Sequence, residues 1–199
     1  MDKRLTTESA DPVALFREWL ADAEKQEAYN PDAVALATAT AEGIPTVRMV
    51  LLKGVEENGF VFYTNSESRK GHELAENPHA SMCFYWKSLR RQVRIDGAVE
   101  KAGDEISDAY FATRSRASQI GAWASMQSRP LEGRFELEKR IAVQTTKFAV
   151  GAVPRPPFWE GYRLLPRRIE FWAEQKFRLH DRIVYDRAGD GWTVQRLYP

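Results

Sequence analysis

The sequence predicts a mainly β protein with helices (α+β class), in which an antiparallel sheet or barrel carries a helical insert. Residues 33–101 and 162–197 show the short apolar runs and turn signals of strands, and a helical stretch separates them. Because strands and helices do not alternate along the chain, a parallel βαβ sheet is not expected. Asn58-Gly59 marks a tight hairpin between two of the strands.

The first half of the chain is expected to contain one long helix and then five strands. Asp11-Pro12 supplies a cap and a first-turn residue for that helix. The predicted strands cover residues 33–40, 45–53, 59–64, 79–86 and 92–101. Between the third and fourth strands, Ser66 or Ser68 caps a short helix through 72–75, which Asn77-Pro78 ends.

The second half is expected to be helical first and then to return to strands. Asp104 is predicted to cap a helix over 106–113, and a shorter helix covers 118–125. A longer helix is predicted over 131–150, with core positions at Phe135, Leu137, Ile141 and Phe148. The strands that follow cover 162–172, 178–185 and 192–197, and the last hairpin turn is Ala188-Gly189-Asp190-Gly191.

Composition and length limit the possible classes of function. The chain carries 29 Lys+Arg against 28 Asp+Glu, so no overall field favours nucleic acid or a membrane surface. No apolar run approaches the roughly 20 residues of a membrane span, and the N-terminus lacks the apolar stretch of a secretion signal. A cytoplasmic protein is therefore expected. At 199 residues, the chain is predicted to form a mobile polar segment over 1–10 and a single domain over 11–199.

A first cluster of candidate binding residues lies between Arg48 and Lys70. Arg48 and Lys53 stand at the two ends of an apolar strand, and Arg69-Lys70 follows the hydroxyl of Ser68 at a strand-to-helix junction. Hydroxyls, backbone N–H groups and paired cations at such a junction are suited to binding a phosphate. The alternative is a helix start that carries two solvated cations.

A second cluster of basic side chains lies near the C-terminus. In an extended segment, Arg178, His180 and Arg182 point to the same face because side chains alternate along a strand. Three basic, planar side chains on one face favour an anionic or aromatic ligand, whereas the alternative is a solvated edge strand. Together the two clusters predict a doubly anionic or phosphorylated ligand held between distant parts of the chain.

Several common chemistries have no motif in this sequence. It contains no G-x-G-x-x-G, G-x-x-x-x-G-K-[ST], H-E-x-x-H or G-x-S-x-G pattern, and three histidines are too few for a histidine-rich metal site, so no metal is expected. The single cysteine, Cys83, lies in an apolar run and is predicted to be a buried structural thiol. Arg90-Arg91 and Arg94, beside aromatic residues, permit an RNA-binding interpretation, but a solvated strand or an intersubunit ion-pair site is favoured.

Taken together, these segments resemble the pyridoxine/pyridoxamine 5′-phosphate oxidase family. The matching segments follow one another in order between residue 11 and residue 199, and they are Arg48-Met49-Val50-Leu51-Leu52-Lys53, 62–65 with 68–70, 91–93, 118–123 with 127–128, 169–172 and 178–182. The resemblance implies an FMN-binding split β-barrel of the antiparallel Greek-key type. It also implies a homodimer with FMN at the subunit interface.

The resemblance further implies a role for individual residues. The FMN phosphate and ribityl chain are assigned to Arg48, Thr64, Arg69, Lys70, Gln127 and Ser128, some of them donated across the dimer. The isoalloxazine ring is assigned to Val50, Leu51, Tyr63, Gln92, Trp172 and Arg182, and the cofactor-binding set also includes Met49 and Lys53. The substrate phosphate is assigned to Lys53, Tyr110, Arg114 and Ser118, while Arg178 and His180 lie over the substrate ring as the catalytic pair.

The activity that the resemblance implies is oxidation of pyridoxamine 5′-phosphate and pyridoxine 5′-phosphate to pyridoxal 5′-phosphate. O₂ is the expected acceptor, with release of hydrogen peroxide and, from the amine, ammonia. Two alternatives stay open: a flavin oxidase acting on another ring system, such as a phenazine precursor, and a flavin or pyridoxal-phosphate carrier without turnover. The first ten residues, MDKRLTTESA, lack the basic-aromatic arm found in other members of the family, so they are assigned no substrate contact.

Overall fold

Residues 11–199 are described by a computed structural model, and the predicted mobile segment at 1–10 lies outside the described residues. The described part of the chain contains five α-helices, one 3₁₀ turn and eight strands. In chain order they are α1 (Pro12–Gln26), β1 (Ala33–Ala39), β2 (Pro45–Val55), β3 (Phe60–Asn65), α2 (Arg69–Glu76), β4 (His79–Trp86), β5 (Arg91–Lys101), α3 (Asp104–Thr113), α4 (Arg116–Ala124), α5 (Glu136–Lys147), β6 (Trp159–Ala173), the 3₁₀ turn (Lys176–Arg178), β7 (Asp181–Ala188) and β8 (Gly191–Arg196).

The strands form one antiparallel sheet in the order β3-β2-β1-β4-β5-β6-β7-β8. β6 is 15 residues long, and it pairs with β5 and β7 and also with β3. The pairing of β3 with β6 joins the two ends of the run from β3 to β6 and so closes a six-stranded barrel, from which β7 and β8 extend as a hairpin. The order β3-β2-β1-β4 is that of a Greek key. The predicted α+β class with an antiparallel barrel is confirmed.

Helix α1 lies against the barrel and contributes aromatic side chains to its core. The side chain of Asp11 accepts a hydrogen bond from the backbone N–H of Val13 at 2.8 Å, which confirms the predicted cap. Phe16 is fully buried, and its ring centroid lies 5.0 Å from that of Phe60 in an edge-to-face contact. Burying a side chain of this size contributes about 1.5–3 kcal/mol to the free energy of unfolding. The helix therefore anchors the barrel that positions the site.

The barrel is split along part of β2. This strand pairs with β1 from Pro45 to Leu51, but its pairing with β3 begins only at Leu52. The register shifts between Leu52 and Gly54, and β3 continues alongside β6 instead. Among the described strands, none pairs with the second edge of β2 over 45–51, so its backbone N–H and C=O groups are left for another partner.

The predictions for the helical insert are partly wrong. The helix predicted over 131–150 is shorter in the structure, where it is α5 (Glu136–Lys147) and buries none of its residues. Two predicted core residues, Phe135 and Ile141, are 62% and 38% exposed. An apolar stripe in a sequence does not reveal whether another element covers it. Asp104 is not a cap either: Gly103 holds the N-cap position, and the carboxylate of Asp104 accepts a hydrogen bond from Arg155 at 2.7 Å instead.

The predicted burial of Cys83 is also wrong, because this side chain is only partly buried. Its neighbours Met82 and Phe84 point to the other face of β4 and are fully buried. Alternation along the strand therefore turns Cys83 to the outer face of the sheet. The surrounding run is apolar on both faces, so the sequence alone does not indicate which face is the core.

Candidate functional site

A cavity of about 1050 Å³ lies beside the unpaired edge of β2. Small-molecule and cofactor sites commonly enclose about 300–1,000 Å³, so this space is large enough for two ligands of modest size side by side. Its walls come from β2, the end of β3, the start of α2, and α3 and α4. The predicted site residues that line it are Arg48, Met49, Val50, Leu51, Lys53, Tyr63, Thr64, Arg69, Lys70, Tyr110, Arg114, Ser118, Gln127 and Ser128.

Lys70 lies buried at the N-terminus of α2. Its ammonium group donates hydrogen bonds to Thr64 Oγ1 at 2.9 Å, Ser68 Oγ at 3.0 Å and Gln127 Oε1 at 3.1 Å. Ser68 is also the N-cap of α2, which resolves the choice between Ser66 and Ser68. Burial, reinforced by the charge of Arg48, lowers the pKa of Lys70 to about 8. A lysine in this state gains strongly from a nearby anion.

A buried carboxylate, Glu73, organises the two arginines of the first cluster. It is 3% exposed and accepts hydrogen bonds from Arg48 at 3.1 Å and Arg69 at 3.0 Å, and from Thr38 and Thr46 at 2.5 and 2.6 Å. Burial alone would raise the pKa of Glu73, but these four donors outweigh it and lower the pKa to about 2. Glu73 is therefore ionised, and it fixes both guanidinium groups.

Arg48 and Arg69 differ in what they can offer to a ligand. The η nitrogens of Arg48 donate to the backbone carbonyl of Leu36 and to Thr38, Thr46 and Glu73. Arg69 uses its Nε for Glu73, and its side chain is 64% exposed. Arg48 therefore contributes a fixed charge, while Arg69 presents the outer part of its guanidinium to the cavity.

The opposite wall of the cavity is aromatic and ends at Arg114. The rings of Tyr63 and Tyr110 stack with centroids 4.1 Å apart, and Trp159 stacks on Tyr63 at 5.1 Å. The guanidinium carbon of Arg114 lies 5.0 Å from the Trp159 ring centroid. Among the described residues, Arg114 Nη1 is buried without a hydrogen-bond partner, and burial lowers the pKa of this arginine. Such an unpaired donor is costly, so it indicates a site for an anionic ligand.

Further polar groups on α4 and β2 line the same cavity as Arg114. The hydroxyls of Ser115 and Ser118 are 2.9 Å apart at the start of α4, where Ser115 is the N-cap. The ammonium group of Lys53 lies 2.5 Å from a carboxylate oxygen of Asp32 at the cavity rim. Lys53, Arg114 and Ser118 thus provide a second set of donors, separate from the set around Lys70.

The remaining predicted residues form a separate group on the C-terminal part of the sheet. Gln92, Trp172 and Arg182 are cross-strand neighbours on β5, β6 and β7. The ring of His180 lies 4.7 Å from that of Trp172, and Arg178 belongs to the adjoining 3₁₀ turn. Within residues 11–199, none of these five side chains lines the cavity, so one chain does not bring the two clusters together.

The expectation that Arg178, His180 and Arg182 share one face of a strand is wrong. β7 begins only at Asp181, and Arg178 has a φ of 63° in the left-handed region. Alternation of side chains requires an extended backbone, which is absent here. Arg182 is on the strand, where its Nε donates to Glu170 Oε1 at 2.7 Å.

Two residues important to this geometry were missed by the motifs. Glu73 lies four residues after Arg69 on a predicted helix, and this spacing alone indicates an ion pair. Trp159 follows a proline-rich segment, 153–157, and no feature of the local sequence indicates that it would stack in a cavity. Both residues hold other side chains of the site in place, and motif matching does not detect residues of this kind.

Two successive parts of the chain match known protein families. Residues 20–147 match the family described as pyridoxamine 5′-phosphate oxidase. The chain belongs to the pyridoxamine 5′-phosphate oxidase family. Residues 159–199, which include Trp172, Arg178, His180 and Arg182, match the region described as the pyridoxine 5′-phosphate oxidase C-terminal dimerisation region.

Individual relatives agree with this assignment over nearly the whole chain. The chain is 62% identical to the pyridoxine/pyridoxamine 5′-phosphate oxidase of Rhodospirillum rubrum, covering 96% of this chain and 98% of that one. It is 60% identical to the enzyme of the same name from Chelativorans sp., covering 97% and 93%. Among solved structures, PhzG from Burkholderia lata, in complex with tetrahydrophenazine-1-carboxylic acid, has a TM-score of 0.93 at 35% identity and covers 100% and 99% of the two chains.

Two features are absent from residues 11–199. No helix in this range is both long and apolar enough to span a membrane. No group of three or more His, Cys, Asp or Glu side chains in the same range is arranged to hold a metal ion.

Proposed function

We propose that this protein is an FMN-dependent oxidase that converts pyridoxamine 5′-phosphate and pyridoxine 5′-phosphate to pyridoxal 5′-phosphate. O₂ is the acceptor, hydrogen peroxide is released, and the amine substrate also releases ammonia. The observation that carries the proposal is the presence of two separate sets of anion-binding groups in one cavity. Arg69 and Lys70 form one set, while Lys53 and Arg114 form the other. A phosphorylated cofactor next to a phosphorylated substrate requires this arrangement.

The residues around α2 fit the phosphate of FMN. Lys70 and Arg69 bring positive charge to a helix N-terminus, where backbone N–H groups and the helix dipole also favour an anion. Glu73 holds Arg69 and Arg48 in place, so little ordering is required on binding. The unpaired edge of β2 offers backbone donors and acceptors to a flat ring with polar edges. The ring is assigned to the neighbourhood of Met49, Val50 and Leu51.

The second set fits the substrate phosphate. The buried, unpartnered nitrogen of Arg114 would gain a charge-assisted hydrogen bond from a phosphate oxygen. Tyr110 and Ser118 supply hydroxyl groups near it, and Lys53 supplies a second cation. The stacked rings of the aromatic wall exclude water around this anion and strengthen its electrostatic interaction with the cations.

When bound, FMN would supply the redox chemistry, as hydride acceptor for the substrate C4′ and as electron donor to O₂. The contribution of the chain is to bind and orient the substrate. Fixing the phosphate at Arg114 limits the positions that C4′ can occupy, and such positioning is a large part of catalysis. Arg178 and His180 are assigned to the substrate ring, where a guanidinium both stacks on a pyridine and contacts its substituents.

We further propose a homodimer in which the C-terminal cluster completes the cavity of the other subunit. Gln92, Trp172, Arg178, His180 and Arg182 lie away from the cavity of their own chain. All of them except Gln92 lie on β6, on β7 or in the loop between these strands, within the region described as a dimerisation region. Residues 11–199 are proposed to act as a single domain in each subunit, because one core cluster joins α1 to the strands of the barrel.

The test is oxygen consumption by the purified protein with pyridoxamine 5′-phosphate. We expect a yellow protein that binds FMN in preference to riboflavin, consumes O₂ and forms pyridoxal 5′-phosphate. Binding of FMN and substrate without oxygen uptake would instead support a carrier. The same assay with a reduced phenazine carboxylate addresses the similarity to PhzG, and turnover of that compound alone would replace the proposed substrate.

A further inference from the structure

The loop between β6 and β7 is held at both ends by one residue, Gln175. Its backbone N–H donates a hydrogen bond to Nδ1 of His180 at 3.2 Å. Its side-chain amide donates to Oδ2 of Asp181 at 3.1 Å, where β7 begins. A third hydrogen bond, from the backbone N–H of Leu179 to the carbonyl of Lys176 at 3.2 Å, closes the inside of the loop.

This loop carries two consecutive residues in a conformation that side chains disfavour. Phe177 and Arg178 have φ angles of 58° and 63°, in the left-handed region that residues other than glycine seldom adopt. A strained backbone persists only where its surroundings hold it. Phe177 is 90% exposed, so packing does not hold it. The hydrogen bonds across the loop hold it instead, and Gln175 donates two of the three.

The same hydrogen bond defines the chemical state of His180. A backbone N–H group can only donate, so Nδ1 of His180 must accept and carries no proton. The proton of the neutral ring is therefore on Nε2, which is left as a donor. The Trp172 ring, at 4.7 Å, supports the imidazole from one side.

We propose that Gln175 is a positioning residue that fixes His180 as an Nε2–H donor and holds Arg178 in its left-handed conformation. The acceptor is an oxygen of the phosphorylated pyridine substrate, and this part rests on the proposed function. Gln175 itself touches no substrate in this arrangement. Its effect on the reaction passes through His180 and Arg178.

The first test reads the tautomer directly in the FMN-bound protein by ¹⁵N NMR of the histidine side chains. The chain has only His72, His79 and His180, so the His180→Gln variant identifies the signals of interest. The expected result is a protonated Nε2 and an unprotonated Nδ1. A proton on Nδ1 overturns the proposal. Because no substrate is present, this result does not depend on the proposed reaction.

The second test compares Gln175→Ala with Gln195→Ala, the same change at an exposed position on β8. Gln175→Ala keeps the backbone N–H but loses the side-chain hydrogen bond to Asp181 that holds this N–H against His180. The variant is therefore expected to have kcat/KM lowered about tenfold, with unchanged FMN content and a mixed His180 tautomer. Gln195→Ala should match the wild type. Wild-type kcat/KM and tautomer in Gln175→Ala contradict the proposal. Absence of turnover in the wild type contradicts the proposed function instead, and leaves the NMR result valid.

A third comparison asks which nitrogen of His180 acts. The amide nitrogen of glutamine takes the place of Nε2, and that of asparagine takes the place of Nδ1. His180→Gln is therefore expected to keep a kcat/KM about tenfold above that of His180→Asn. Equal values, or a higher value for His180→Asn, would show that the Nε2 donor has no role.

Discussion

The cavity beside β2 and the C-terminal cluster differ in how completely one chain builds them. Around the cavity, several charged groups are held in place: Lys70 has three hydrogen-bond acceptors, and Glu73 holds both Arg48 and Arg69. The C-terminal cluster is ordered internally, but it faces no cavity of its own chain. Arg178 even keeps a strained backbone there. In the proposed homodimer, this segment would meet its ligand in the cavity of the other subunit.

The comparison implies a division of tasks. The cavity of one chain is suited to holding two phosphates, because its charges are preorganised by buried polar networks. The C-terminal cluster is suited to acting on the ring of a substrate held elsewhere. Variants in the cavity should therefore lose affinity for a phosphorylated ligand, whereas variants in the C-terminal cluster should lose reaction rate. Four predictions test this difference, in order of decreasing effect.

The largest effect is expected at Arg114. Arg114→Ala removes a charge-assisted hydrogen bond, and such bonds contribute about 1.5–3 kcal/mol, so KM for pyridoxamine 5′-phosphate should rise about ten- to a hundredfold. FMN content should stay at the wild-type level, because the cofactor phosphate is assigned to α2. Steady-state kinetics and flavin stoichiometry measure the two effects. The control is Arg134→Ala, which changes an exposed arginine before α5 and should leave both quantities unchanged. Loss of FMN in Arg114→Ala would mean that the assignments of the two phosphate sites are reversed.

An effect of similar size, on FMN binding and not on substrate binding, is expected at Arg69. Arg69→Ala should weaken FMN binding about tenfold or more, for the same energetic reason, while leaving riboflavin binding unchanged. Fluorescence titration of the apoprotein with each flavin measures this difference. If Arg69→Ala weakened both flavins equally, the arginine would support the fold of the site and would not contact the phosphate.

In the C-terminal cluster, Arg178 is expected to matter more than His180. A guanidinium can stack on a pyridine ring and fix its substituents, so Arg178→Ala should lower kcat/KM at least tenfold and by more than His180→Ala. Both variants should retain FMN. Anaerobic mixing with pyridoxamine 5′-phosphate measures the rate of flavin reduction directly. Wild-type rates in both variants would support the alternative, in which these side chains only form a solvated edge of the sheet.

The smallest effect concerns pH and Lys70. Because burial and Arg48 lower the pKa of Lys70 to about 8, the charge that attracts phosphate is present below this pH and lost above it. FMN affinity should therefore fall as pH rises through 8, by at most about tenfold per pH unit. Titrations of the apoprotein between pH 7 and pH 9 test this. Lys70→Met should bind FMN weakly but without this pH dependence, and an unchanged slope in that variant would point to another group.

Much of the fold could be predicted from the sequence, because strand patterning and turn residues are local signals. β4 has the predicted bounds, His79–Trp86, and the cap of α2 is one of the two predicted serines. The length of α5 could not be predicted, since none of its residues is buried and its apolar stripe therefore does not mark where the helix ends. The turn at Phe177 and Arg178 was missed for a related reason: neither residue favours a left-handed backbone, which only the surrounding hydrogen bonds explain.

The sequence motifs predict the residues that line the candidate site, but they do not predict the residues that hold those side chains in place. The motif residues of β2 and α2 do line one cavity. Glu73 and Trp159 were not anticipated, because a buried carboxylate and a stacked ring act through neighbours distant in sequence. Their importance is visible only once the strands are paired.

The central claim is that each active site takes residues from two chains, and mixed dimers test it most directly. Arg114→Ala and Arg178→Ala subunits, each with kcat/KM at least about tenfold below the wild type as a homodimer, are co-expressed with different tags. The mixed dimer is isolated and assayed with substrate well below its KM. Its two sites differ: one carries both substitutions, and the other carries none. If the clusters meet across the interface, the mixed dimer should recover about half of wild-type activity, because one of two symmetric sites is intact. Activity no higher than that of the parent homodimers would show that both clusters serve the same chain, and would contradict the account.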